Sequence, residues 1–137
     1  MKRADIVQRR LLNQRLSRPD CQTPAEVARC LGAVQAQDYP GALWAIALRM
    51  GEPVSEAAVE AAIADKSIVR TWPMRGTLHF VPAEDARWML DLLTPRLRGR
   101  FARRYEELGL DESAFGRGGE IIQAALQGGK IMTRPEA

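Results

Sequence analysis

The chain has 137 residues, 46% of them hydrophobic, and a formal net charge of +3. That is one ordinary domain or slightly more, with enough apolar content for a core and too much for a disordered chain. No apolar run is long enough to span a bilayer, and the start, MKRADIVQRR, lacks the apolar stretch of a signal peptide, so the expected setting is cytoplasmic and soluble.

Cys21 and Cys30 are the only cysteines, and His79 is the only histidine. No metal-ligand spacing joins them, so the reading is a reduced thiol pair, with no metal and no cofactor. Lysine occurs only at Lys2, Lys66 and Lys130; the other 17 of the 20 basic residues are arginine. Arginine's planar donor fork suits phosphate, but a GC-rich genome also enriches arginine everywhere. Composition leaves both explanations open.

Residues 5–16, DIVQRRLLNQRL, carry Val7, Leu11, Leu12 and Leu16 at helical spacing, which predicts an amphipathic helix. RPD at 18–20 breaks it. Thr23, Pro24 and Glu26 then announce a second helix: an N-cap, a proline in the first turn and a capping box. Val27, Cys30 and Leu31 are its expected buried face, and Gly32 is its stop. GALWAIALRM, after Pro40, predicts a third helix. Ser55 opens a fourth that ends near Asp65. The period then changes. SIVRTWPMRGTLHFVP, residues 67–82, alternates around the turn signal PMRG and predicts a hairpin from about Ile68 to Val81.

Short helices followed by one hairpin are the order of a winged helix. The expected fold class is mainly α: a winged helix-turn-helix with one β-hairpin wing, followed by helices that begin a second winged-helix module. Beyond the wing, Ala83 to Leu93 reads as one helical piece, and Pro95 starts or kinks the next. Leu93, Leu97, Phe101 and Leu108 are the expected buried face there. Asp111 caps a further helix that Gly128 and Gly129 stop. Thr133 and Glu136 form another capping-box pattern, which reads as the opening of a helix beyond the chain. The expected division is 1–109 for the first module with its following helices and 110–137 for a second, truncated module.

Gln35 and Gln37 are the candidate site. Residues two apart share a face only in extended backbone, and Gly32 argues that the helix has ended before them. Each amide both donates and accepts. The pair either ties up backbone groups in a buried loop, or orients a water and steadies positive charge. It cannot readily take a proton. Asp38 is expected to cap the following helix rather than act as a base. His79 is expected to be a satisfied structural histidine. Arg75, at the wing tip, either reaches a DNA groove or is simply exposed. Arg96, Arg98, Arg100, Arg103 and Arg104 form either a solvated helix face or a phosphate-contacting one. Trp44, Trp72 and Trp88 are expected to anchor the core.

LGAVQAQDYPGALWAIALR (31–49), followed by SIVRTWPMRGTLHFVPAEDARWML (67–90) and the closing TRPE, resembles the AlkZ-like family of winged-helix DNA glycosylases over about residues 8–137. The resemblance implies tandem winged helices and a β-barrel that clasp double-stranded DNA carrying alkylated bases, in a monomer. It implies a monofunctional hydrolase that excises alkylated bases or unhooks crosslinks, using water and no covalent lysine. Its Gln-x-Gln catalytic pair falls on Gln35 and Gln37. The chain resembles only the first module and the opening of the second. The competing expectations are a non-catalytic winged-helix DNA-binding protein and an inactive remnant.

Overall fold

The computed structural model describes residues 3–136. Its elements run α1 (Arg3–Asn13), α2 (Pro24–Leu31), β1 (Val34–Gln35), α3 (Tyr39–Ala47), α4 (Glu56–Ala64), β2 (Ile68–Met74), β3 (Thr77–Pro82), α5 (Ala83–Glu107) and α6 (Glu112–Ala125), with a short 3-10 turn at Gln127–Gly129. Two compact units divide the chain, Met1–Leu97 and Arg98–Ala137. Among the described residues, no helix is long and apolar enough to cross a membrane.

The first unit is built on a three-stranded antiparallel sheet of order β1-β3-β2. Three helices, one short strand and a hairpin in the order α2-β1-α3-α4-β2-β3 are consistent with a winged helix. The predicted hairpin is there. Arg75 and Gly76 both have positive φ, 55° and 74°, which gives a two-residue turn whose twist matches the strands. Between Thr71 and Met74 the register shifts. Pro73 sits in that irregularity. It has no N–H for the ladder, and β2 is an edge strand, where its absence is tolerated.

The start of α2 follows its sequence signals. Thr23 Oγ1 accepts from the Glu26 N–H at 3.1 Å, and the Glu26 carboxylate accepts from the Gln22 N–H at 2.7 Å. Gly32 ends the helix at φ 76°. The buried face differs from expectation. Val27 and Ala28 are buried, while Cys30 is exposed and Leu31 half-buried. A helix of eight residues makes only two turns, so a small rotation exchanges neighbouring positions.

Val27, Leu43, Ile46, Val59, Ile68 and Phe80 are the larger members of one core cluster that joins α2, α3, α4 and the sheet. Each buried aliphatic or aromatic side chain of this kind contributes roughly 1.5–3 kcal/mol of transfer free energy. Arg49 is nearly buried. It donates to the Ala45 carbonyl at 2.5 Å and to the Gln14 carbonyl at 2.9 Å, which ties the segment after α1 to α3. Burial lowers its pKa from the usual arginine value.

The amphipathic α1 leaves Val7, Leu11 and Leu12 exposed, as is Leu16 just after it. Three further expectations need correction. Trp44, Trp72 and Trp88 do not anchor the core, being 62%, 53% and 50% exposed. Pro95 does not start a new helix; α5 continues past it, from Ala83 to Glu107. Proline there removes one helical N–H, and its ring crowds the carbonyl four residues earlier. Finally, Met89 is the buried residue of α5, whereas Phe101 and Leu108 are exposed and Leu93 and Leu97 half-buried.

In the second unit, Asp111 caps α6 through the Ala114 N–H at 2.7 Å. Tyr105 and Phe115 meet edge to face, with ring centroids 5.1 Å apart. Gly128 and Gly129 follow α6 with φ of 76° and 78°, as a stop requires. The Thr133–Glu136 pair closes: the Glu136 carboxylate accepts from the Thr133 N–H at 2.7 Å and from its hydroxyl at 2.6 Å. Those bonds lower the Glu136 pKa.

Candidate functional site

Residues 34–37 alternate between core and surface. Val34 and Ala36 are 7% and 0% exposed, while Gln35 and Gln37 face out. Extended backbone produces this alternation, so both amides stand on one side. Val34 pairs with Phe80, and Gln35 with His79. The Ala36 N–H continues the pairing by donating to the Leu78 carbonyl at 2.8 Å.

The Ala36 carbonyl is held as well. Arg70 donates to it from Nε at 3.0 Å and from Nη2 at 2.7 Å. The same guanidinium lies over the Tyr39 ring, 5.2 Å from its centroid. Tyr39 in turn packs on Phe80, and its hydroxyl reaches Glu60 at 3.3 Å. Burial, and then Glu60, raise the Tyr39 pKa. Ala36 is therefore fixed by its methyl, its N–H and its carbonyl. A small buried residue between two glutamines is what aims both amides the same way.

The two glutamines are not equivalent. The Gln37 Oε1 accepts from the Leu78 N–H at 3.2 Å. That occupies one carbonyl lone pair and leaves the amide NH2 group. No side-chain hydrogen bond engages Gln35 among the described residues. Gln37 thus ties up a backbone donor, as one alternative expected, and still lies at the surface.

His79 is the partner of Gln35 on one side and of Thr71 on the other. Gln35, His79 and Thr71 form one rung across the sheet, and directly opposite residues share a face. His79 is 3% exposed, with Nδ1 2.9 Å from the Thr77 carbonyl oxygen. Thr77, two residues earlier on the same face, has a buried Oγ1 with no hydrogen-bond partner. Asp38 occupies the N-cap position of α3, but its side chain makes no capping hydrogen bond. Its carboxylate instead lies against Gly41, where a Cβ would collide with it.

The arginines separate into two groups. Arg98 pairs with Glu112 at 2.7 Å and lies over the Phe115 ring. Arg103 and Arg104 share Glu107 at 3.3 and 3.2 Å. Arg75, Arg96 and Arg100 have no acidic partner among the described residues. In a winged helix, the helix before the hairpin is the one that enters a DNA groove. Here that helix, α4, reads EAAVEAAIA and carries two glutamates and no base.

Sequence reasoning missed Arg70. Its signal is a lone arginine inside an otherwise apolar strand, IVRTWPM, where it pairs with the buried Phe80. Among the described residues no group of histidine, cysteine and acidic side chains could hold a metal ion. Two open clefts of about 370 Å³ and 380 Å³, one along α1 and one between α5 and α6, include neither glutamine.

The DNA glycosylase AlkZ-like family matches residues 28–137. The chain belongs to that family. The match takes in both glutamines, Arg70, the hairpin, α5 and α6 of this AlkZ-like protein. An interstrand DNA cross-link repair glycosylase of Streptomyces sahachiroi is 39% identical over 69 residues, which are 50% of this chain and 18% of that protein. A solved structure, the Streptomyces sahachiroi DNA glycosylase AlkZ, covers 53% of this chain and 19% of its own, with 38% identity and a TM-score of 0.47. The AlkZ-like chain thus spans less than a fifth of the length of the curated relative it matches.

Proposed function

We propose that this AlkZ-like chain carries the hydrolytic element of a DNA repair glycosylase, with Gln35 and Gln37 acting on the N-glycosidic bond of alkylated or crosslinked bases. The reading rests on one observation: two neutral amides carried side by side on exposed positions of one extended segment, in a chain of this family. An N-alkylated purine that carries positive charge is already a good leaving group. The transition state is oxocarbenium-like. Amide carbonyl oxygens stabilise that developing charge, and an amide donor or acceptor orients the incoming water. A strong acid is not required.

DNA would be held by phosphate contacts from Arg75, Arg96, Arg98, Arg100, Arg103 and Arg104, with the unpaired Arg75, Arg96 and Arg100 the readiest to engage. The low basicity of α4 argues for the hairpin and α5 over the helix before the wing. In this reading residues 1–109 are a first winged-helix module with its following helices, and residues 110–137 begin a second. The protein needs no metal or organic cofactor for this chemistry and works inside the cell on duplex DNA.

The test is single-turnover release of an N7-alkylated guanine from duplex DNA by the full-length protein at saturating enzyme. Gln35→Ala and Gln37→Ala should each slow release by about a hundredfold, the usual cost of one transition-state contact. Wild-type rates in both variants would remove the glutamines from the chemistry. Duplex binding with no release by the wild type would favour a DNA-binding module without catalysis.

A further inference from the structure

We propose that His79 is the proton acceptor for the water that attacks the sugar, an assignment that rests on the glycosylase reading above. Neither glutamine can take a proton, and hydrolysis must release one. His79 is the sole imidazole in the chain and stands directly opposite Gln35 on the same face of the sheet.

The chemistry of its hydrogen bond sets its tautomer. Nδ1 lies 2.9 Å from the Thr77 carbonyl oxygen, which can only accept. Nδ1 therefore carries the hydrogen. In the neutral ring this leaves a lone pair on Nε2. Nε2 has no hydrogen-bond partner among the described residues. The Oγ1 of Thr77 is the fully buried side-chain polar atom without a partner among them, so Nε2, equally unpartnered, is not sealed from solvent. A histidine that served packing alone would use both nitrogens, since buried polar groups are almost always paired. Here two polar atoms on one face, Nε2 and Thr77 Oγ1, lack protein partners next to the free amide of Gln35. A bound water satisfies such a set. The neighbours of His79 on this face, Gln35, Thr71, Thr77 and Val81, carry no charge.

The step balances. The water oxygen bonds to C1′ as the bond from C1′ to the base nitrogen breaks. The electron pair of that bond leaves with the cationic base and neutralises it. The water proton passes to His79 Nε2, and the imidazolium returns it to solvent. Gln35 and Gln37 steady the sugar cation and the water.

The experiment uses the full-length protein, duplex DNA bearing N7-methylguanine and single-turnover conditions. His79→Asn keeps an amide N–H for the Thr77 carbonyl and removes the base. It should lose about a hundredfold or more in rate, as loss of a general base does, with an unfolding midpoint close to wild type. His79→Gly should be equally slow and should recover at least tenfold when imidazole is added, whereas Gln37→Ala should not respond to imidazole. A His79→Asn rate equal to wild type, or a His79→Gly rate that imidazole leaves unchanged, overturns the assignment. If the glutamine variants are slow in that same experiment, the glycosylase reading survives its loss. A wild-type protein that releases no base overturns both.

Discussion

Arg70 grips the carbonyl of Ala36 with two of its nitrogens, Nε at 3.0 Å and Nη2 at 2.7 Å. Ala36 is the residue between the two glutamines, so this grip sets the direction of both amides. Lysine cannot reproduce two parallel donors. Arg70→Lys should therefore slow base release by roughly ten- to a hundredfold through misplacement, since errors near 1 Å cost about that much. The unfolding midpoint measured alongside should fall only modestly, because the bonds lost are worth about 1 kcal/mol net each.

Gln35 and Gln37 should differ in stability even where they agree in activity. Gln37→Ala removes the acceptor of the Leu78 N–H and should cost about 1 kcal/mol in urea unfolding. Gln35→Ala breaks no side-chain bond and should leave the urea midpoint within about 0.5 kcal/mol of wild type. Equal losses would mean that Gln35 has a structural contact of its own.

For DNA binding, Arg100 and Arg103 make an internal comparison. Arg100 has no acidic partner among the described residues, while Arg103 is paired with Glu107. Arg100→Gln should reduce the slope of log affinity against log salt by about one unit on duplex DNA. Arg103→Gln should change it by less, because that guanidinium must first leave a carboxylate. An unchanged slope for both removes this part of α5 from the interface.

The two thiols should react at different rates. Cys21 is 4% exposed, and its pKa is pushed up to about 11, first by burial and then by the neighbouring Cys30 thiol. A raised thiol pKa means less thiolate at every pH below it, and the thiolate is the nucleophile. Iodoacetamide at pH 8 should label the exposed Cys30 well before Cys21, read by peptide mass mapping. Only at strongly alkaline pH should the labelling of Cys21 approach it.

What could be read in advance followed from local rules. Thr23 and Glu26 announced α2 because capping is settled within four residues. PMRG announced the hairpin because a change of period around a turn signal is visible along the chain. The spacing of Gln35 and Gln37 after Gly32 was legible for the same reason. Arg70 was not, because its role depends on Ala36, which lies 34 residues earlier. The role of His79 rests on its register with Gln35, and register is a property of the sheet. The tryptophans misled because an apolar pattern does not say which side another element covers. Pro95 does not start a helix because the residues on both sides of it carry α5 through.

Trp44, Trp72 and Trp88 are the chain's only tryptophans, and all three are at least half exposed. Trp72 lies beside the rung of Gln35, His79 and Thr71, and the Trp88 indole donates to the Asp85 carboxylate at 2.7 Å. Intrinsic fluorescence of this protein is therefore a poor gauge of its core. Emission should already be red-shifted in the native state, and unfolding should change it little. Quenching on addition of a nucleic acid would instead report directly on the outer surface, without any label.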